Sequence, residues 1–90
     1  MSAFRDNTVL SRFELAEEGH IAFASYRRRG NLLVVPHVEA APALRGKGSA
    51  GRLMEALASH ARGEGLKIEP ACSYAAAWFR RHPDYRDVLS

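Results

Sequence analysis

Residues Ala43–Gly51 read ALRGKGSAG, and an alanine- and leucine-rich segment follows at once. Three glycines, two cations and a serine are packed into this stretch. Glycine costs backbone entropy on folding, so such a cluster needs compensation from a tight turn, a bound anion, or both. Downstream, Ala50, Leu53, Leu57 and Ala61 recur at spacings of three and four, with Arg52, Glu55 and Arg62 elsewhere on the wheel. That pattern predicts an amphipathic helix from Gly48 to Gly63, stopped by Gly63-Glu64-Gly65. The loop therefore opens a helix. The first N–H groups of a helix lack intrahelical partners and carry partial positive charge. Glycines let a ligand approach them, and successive N–H groups can form a nest for a phosphate. Arg45 and Lys47 add full charges. Leu44 is read as the core-facing anchor of the loop.

Upstream the period is two. Phe13 and Leu15 alternate with Arg12 and Glu14, which predicts a half-buried strand over 11–16. Glu17-Glu18-Gly19 reads as a turn. Alternation resumes from His20 to Arg28, with Ile21, Phe23 and Ser25 on one face and Ala22, Ala24 and Tyr26 on the other. Arg29-Gly30-Asn31 is a second turn signal, and Arg27-Arg28-Arg29 before Gly30 reads as a solvated hairpin turn. Leu32–Val35 is a continuous apolar run, suited to a strand covered on both faces. Pro36 weakens that strand locally, or marks a bulge or an edge.

Beyond the helix, Leu66-Lys67-Ile68-Glu69 is a short strand closed by Pro70. Ser73 can cap a second helix over Tyr74–Arg81, which ends before His82-Pro83. Trp78 and Phe79 fall at core spacing with Tyr74. Residues 84–89 read as a packed terminal turn. The predicted order is β-β-β-α-β-α in one domain spanning 1–90, an α+β protein of mixed layers.

The chain has 90 residues, a net charge of +3 from 13 basic and 10 acidic residues, and one cysteine. A single cysteine excludes an intramolecular disulfide and a cysteine-rich zinc site, and it fits a cytoplasmic setting. His37, His60 and Cys72 supply neither a local ligand pair nor a fourth ligand, so no metal is expected. No apolar run reaches the roughly 20 residues of a membrane span. The basic balance suits an anionic small molecule. For nucleic acid, the cations are too interspersed with acids, and no aromatic stacking platform is evident.

The loop is not a P-loop, which needs four residues between its glycine and its Gly-Lys-Ser/Thr. Gly46, Gly48 and Gly51 fit G-x-G-x-x-G, and Glu69 stands where a ribose-binding acid would. Against a dinucleotide site stands the antiparallel meander upstream, where parallel strands are required. The better match is Arg-x-x-Gly-x-Ala, from Arg45 to Ala50.

With that motif the chain resembles the GNAT superfamily of N-acetyltransferases, in particular its minimal single-domain members of the YjdJ type. The resemblance spans most of the sequence. It includes Arg12-Phe13-Glu14-Leu15, His37-Val38-Glu39, the loop, Pro70-Ala71-Cys72-Ser73-Tyr74 and Arg81-His82-Pro83-Asp84-Tyr85. The chain departs from the pattern at Val38, commonly threonine, and at Ser49, commonly aliphatic. The resemblance implies a reduced GNAT-like fold, a mostly antiparallel sheet with one splayed parallel strand pair. It implies that the loop binds the pyrophosphate of acetyl-CoA through Arg45, Gly46, Lys47, Gly48, Ser49 and Ala50. The pantetheine arm would then enter between strands 32–39 and 66–70, along Val38–Ala40 and Pro70–Cys72, including Ala71.

Acetyl transfer from a thioester needs a base for the amine, an oxyanion donor and an acid for the departing thiolate. Glu39, at the splayed end, is the candidate base, against a plain strand-end charge. His37 is a second candidate, since imidazoles titrate near neutrality. Cys72 lines the thioester end or serves as a nucleophile, against a small buried residue. Tyr74 is a candidate acid, against core packing. Little chain remains for a lid, so an open acceptor site is expected, suited to a protein amine or a polyamine, with the protein a monomer or weak dimer. The competing expectation is a non-catalytic module that binds or senses acyl-CoA.

Overall fold

The computed structural model describes residues 3–90. Five strands form one sheet in sequence order: β1 (Ala3–Asn7), β2 (Arg12–Glu17), β3 (His20–Arg29), β4 (Leu32–Ala40) and β5 (Lys67–Pro70). The first three pairings are antiparallel and β4–β5 is parallel. Between β4 and β5 run a 3-10 turn, Pro42–Leu44, and helix α1, Ser49–Glu64. Helix α2, Ser73–Arg81, and a 3-10 turn, Pro83–Val88, follow β5. This is the α+β architecture expected, with the parallel pair where the resemblance put it.

β1 is an addition to the sequence reading. It is an edge strand whose inward face has one apolar anchor, Phe4, stacked on Phe13 at 5.7 Å. Helix α1 runs one residue past Gly63 and is closed by Gly65 in the left-handed conformation, whose N–H reaches the Ala61 carbonyl. In α2 the cap is Cys72 rather than Ser73: Cys72 Sγ accepts from the Ala75 N–H at 3.4 Å.

The core lies on one face of the sheet. Phe13, Leu15, Ala22, Ala24, Leu33 and Val35 point into it and meet Leu53, Met54, Leu57 and Ala61 of α1. Ala75, Trp78 and Phe79 of α2 join the same core. The apolar run Leu32–Val35 is covered on one face rather than two, since Leu33 and Val35 are buried while Leu32 and Val34 stay half-buried. The helix-free face carries a buried charge. Glu14, 3% exposed, accepts from Arg12 (2.6 Å), Arg5 (2.9 Å) and Asn7 (3.0 Å), and Arg12 in turn covers the Phe23 ring.

Pro36 marks a bulge. Ser25 opposes His37 and Arg27 opposes Val34, so Val35 and Pro36 together face Tyr26. One extra residue reverses which positions point inward. Leu33 and Val35 are core residues before the bulge; after it Val38 and Ala40 pack against the core while His37 and Glu39 turn out.

Candidate functional site

The bulge coincides with the end of the parallel ladder. β4 and β5 pair from Leu32/Lys67 to Val35/Pro70, and one further bond runs from the Ala71 N–H to the Val35 carbonyl at 3.0 Å. After that, residues 37–40 continue against β3 alone. The Ala41 N–H reaches the Ile21 carbonyl at 3.0 Å. In an antiparallel ladder hydrogen-bonded pairs alternate with non-bonded ones. Glu39 and His37 therefore spend their backbone groups on β3, and those of Val38 and Ala40 point to the open edge. The result is a wedge between β4 and the residues after β5, with free backbone donors and acceptors on its β4 wall.

The glycine loop closes one end of this wedge. Gly46 and Gly48 have φ near +80°, which L residues with a side chain rarely adopt. A Cβ at Gly48 would lie 3.1 Å from an Arg52 guanidinium nitrogen. The Arg45 and Lys47 N–H groups turn back to Pro42 and Leu44, and the first intrahelical bond is from Arg52 to Gly48. Among the described residues, the N–H groups of Gly46, Gly48, Ser49, Ala50 and Gly51 have no partner. They surround a cleft of 270 Å³ lined by Ala40, Leu44, Arg45, Gly46, Ser49, Ala50 and Tyr74 among others. Leu44 is buried and anchors the loop as expected. Burial raises the pKa of Tyr74, so its phenol keeps its proton.

Three acidic or basic residues that the motif did not flag brace the loop. Glu17 accepts from Ser49 Oγ at 2.5 Å and from two Arg52 nitrogens at 2.7 and 2.8 Å. Arg52 also donates to the Lys47 carbonyl at 2.9 Å. These bonds, Arg52 first and Ser49 second, pull the Glu17 pKa down to about 2. Lys47 pairs with Glu18 at 2.8 Å. The Ser49 hydroxyl is thus engaged inward by Glu17, and what it offers the cleft is its backbone N–H. Arg45 is exposed and has no carboxylate within reach among the described residues.

His37 and Glu39 come together on the helix-free face, with Nε2 and Oε1 3.0 Å apart and both side chains more than half exposed. The Phe23 ring lies beside His37. Across the wedge stands Cys72, half-buried at the N-cap of α2. Trp78 is core, stacked on His82, whose Nδ1 donates to the Trp78 carbonyl at 2.7 Å. His60 sits at the rim against Phe4 and Phe13. No helix is long and apolar enough to cross a membrane among the described residues.

Comparison with known proteins gives a family and a similar fold. The family model for the GCN5-related N-acetyl-transferases matches residues 12–88. No curated protein matches the sequence. Among solved structures, the chain is similar to the solution NMR structure of a Staphylococcus aureus protein described as a "GCN5-like putative N-acetyltransferase". The TM-score is 0.75 at 25% identity, covering 98% of this chain and 87% of the other. With its split parallel pair and its helix-opening glycine loop, the chain belongs to the GCN5-related N-acetyltransferase family.

Proposed function

We propose that the protein is an acetyl-CoA-dependent N-acetyltransferase formed by residues 1–90 as one domain. One observation carries this reading. The β4–β5 ladder stops at Val35 and Pro70 beside a loop with five unpartnered N–H groups. A diphosphate needs N–H donors and positive charge, and the loop, the start of α1 and Arg45 supply both. An extended arm with amide groups needs backbone to pair with, and Val38 and Ala40 offer it.

Acetyl-CoA supplies the activated acetyl group when bound. In this reading Arg45, Lys47 and the backbone of Gly46, Gly48, Ser49 and Ala50 hold the diphosphate. Lys47 exchanges Glu18 for phosphate, and Val38, Ala40 and Ala71 line the arm. Glu39, with His37 hydrogen-bonded to it, takes the proton from the acceptor amine. Cys72 borders the thioester end. Tyr74, which lines the loop's cleft together with Ala40, serves as the acid for the departing thiolate.

Calorimetric titration of acetyl-CoA and CoA tests the reading, with Arg45→Ala/Lys47→Ala as control. Micromolar binding lost in the double variant supports it. No binding at millimolar ligand removes it. Retained turnover in Glu39→Gln would move the base to His37. Binding without turnover on any amine would leave a CoA-binding module.

A further inference from the structure

The described residues form a second concavity away from the loop's cleft. It is a groove of 390 Å³ between α2, the end of β5 and the terminal turn. Its walls are apolar: Ala76 and Phe79 of α2, Pro83, and Leu89, which bridges to Ile68 of β5. Its two charged residues are both cations, Arg80 and Arg86. Both are exposed, and neither meets a carboxylate among the described residues. Arg5, Arg12, Arg52 and Arg62 are all paired. Among the described residues no acid lines the groove, so it presents an apolar surface with two free guanidiniums. Such a surface favours an anion on an apolar body and repels a polyamine.

The groove also has a direction. Pro70 lines it, and Pro70 is where the parallel ladder opens into the wedge. Cys72 lies four residues before Ala76, one turn earlier on the same helix side. Arg80 is two turns beyond Cys72, about 12 Å along the axis. An extended peptide covers that distance in about three or four residues.

We infer that the acceptor is the α-amine of a peptide with apolar leading residues and a carboxylate at about its fourth position. It lies in this groove with its amine at the Cys72 end and its anion on Arg80 and Arg86. The inference rests on the acetyltransferase reading above. The transfer breaks the thioester C–S bond of acetyl-CoA and forms an amide C–N bond at the peptide. The proton lost by the amine balances the thiolate released as CoA-SH.

Three acceptors test it at fixed acetyl-CoA: Ala-Leu-Leu-Glu amide, Ala-Leu-Leu-Lys amide and spermidine. The glutamate peptide should give a kcat/KM roughly tenfold above the lysine peptide, and spermidine the lowest of the three. In Arg80→Glu/Arg86→Glu the order of the two peptides should invert, with the CoA affinity of the variant unchanged by calorimetry. Equal use of both peptides, preference for spermidine, or an unchanged order in the double variant would each overturn the inference. If none of the three is acetylated while CoA binds, the inference falls and the cofactor reading stands. If CoA does not bind, both fall.

Discussion

Ser49 Oγ donates to Glu17 Oε1 at 2.5 Å, across 32 positions of sequence, and Ser49 is 1% exposed. The bond joins the last residue of β2 to the first residue of α1. Glu17 extends the inward stripe of Phe13 and Leu15 past the edge of the core, so it meets the helix start rather than solvent. The same carboxylate takes both Arg52 bonds, and Arg52 holds the Lys47 carbonyl. The glycine loop is thus fixed from beneath by one acid.

Replacing that acid should loosen the loop more than the fold. Glu17→Gln leaves Arg52 without its ion partner and Ser49 with a weaker acceptor. The expected outcome is a several-fold weaker affinity for CoA with a small loss of melting temperature. Calorimetry and thermal unfolding on the same preparation check it. An unchanged CoA affinity would mean that the loop holds its shape without the brace.

The two positive-φ glycines of the loop should respond differently to alanine. Both would carry the strain of a left-handed conformation, roughly 1 kcal/mol. At Gly46 a Cβ meets nothing within 4 Å, so strain is the whole cost. At Gly48 it meets Arg52 at 3.1 Å and displaces the residue that Glu17 holds. Gly48→Ala should therefore weaken CoA binding more than Gly46→Ala at similar stability. Equal losses would argue against coupling between Arg52 and the cleft.

Local features of the site were legible in the sequence and long-range ones were not. The Arg45–Ala50 motif, the helix it opens and the alternation of Phe13/Leu15 each depend on neighbours within a turn or a strand. β1 was not legible because Ala3–Asn7 is mostly exposed, with Phe4 its one half-buried large apolar side chain, and it draws its pairing from β2. The parity change at Pro36 was half legible. The proline flagged a bulge, but only the register with Tyr26 shows that it turns His37 and Glu39 outward. The Glu17 brace was hidden because Glu17-Glu18-Gly19 has the composition of a turn, and nothing local ties it to Ser49. The cap of α2 lies one residue before Ser73: serine is the commoner cap type, yet Cys72 holds the required geometry.

Acid should weaken the helix-free face through Glu14, as it should the loop through Glu17. Arg12, then Asn7, with Arg5, hold the Glu14 pKa at about 2, against 4.5 for a free glutamate. A depressed folded-state pKa stabilises above the unfolded value, and that stability is lost as pH falls from about 4.5 toward 2. Glu14→Gln should lower stability near neutrality by about 1 kcal/mol. The difference from the parent should shrink through the same window and vanish below it. Urea unfolding at neutral pH and across that window checks this. A gap that persists in acid would assign the loss to packing instead of charge.

Cys72 has two separable roles, and two substitutions distinguish them. Its Sγ caps α2 by accepting from the Ala75 N–H, and it borders the wedge where the thioester is proposed to lie. Serine keeps a cap acceptor with better geometry, whereas alanine removes it at a cost of about 0.5–2 kcal/mol. Cys72→Ser should therefore unfold at or above the parent's temperature and Cys72→Ala below it. If the thiol is a nucleophile, both variants lose turnover alike despite their different stabilities. If it only lines the pocket, Cys72→Ser retains most of the turnover, and any loss in Cys72→Ala follows its stability. Steady-state rates measured well below both melting temperatures separate the two cases. A mass shift of one acetyl group on the parent, absent from Cys72→Ser, would identify the covalent route.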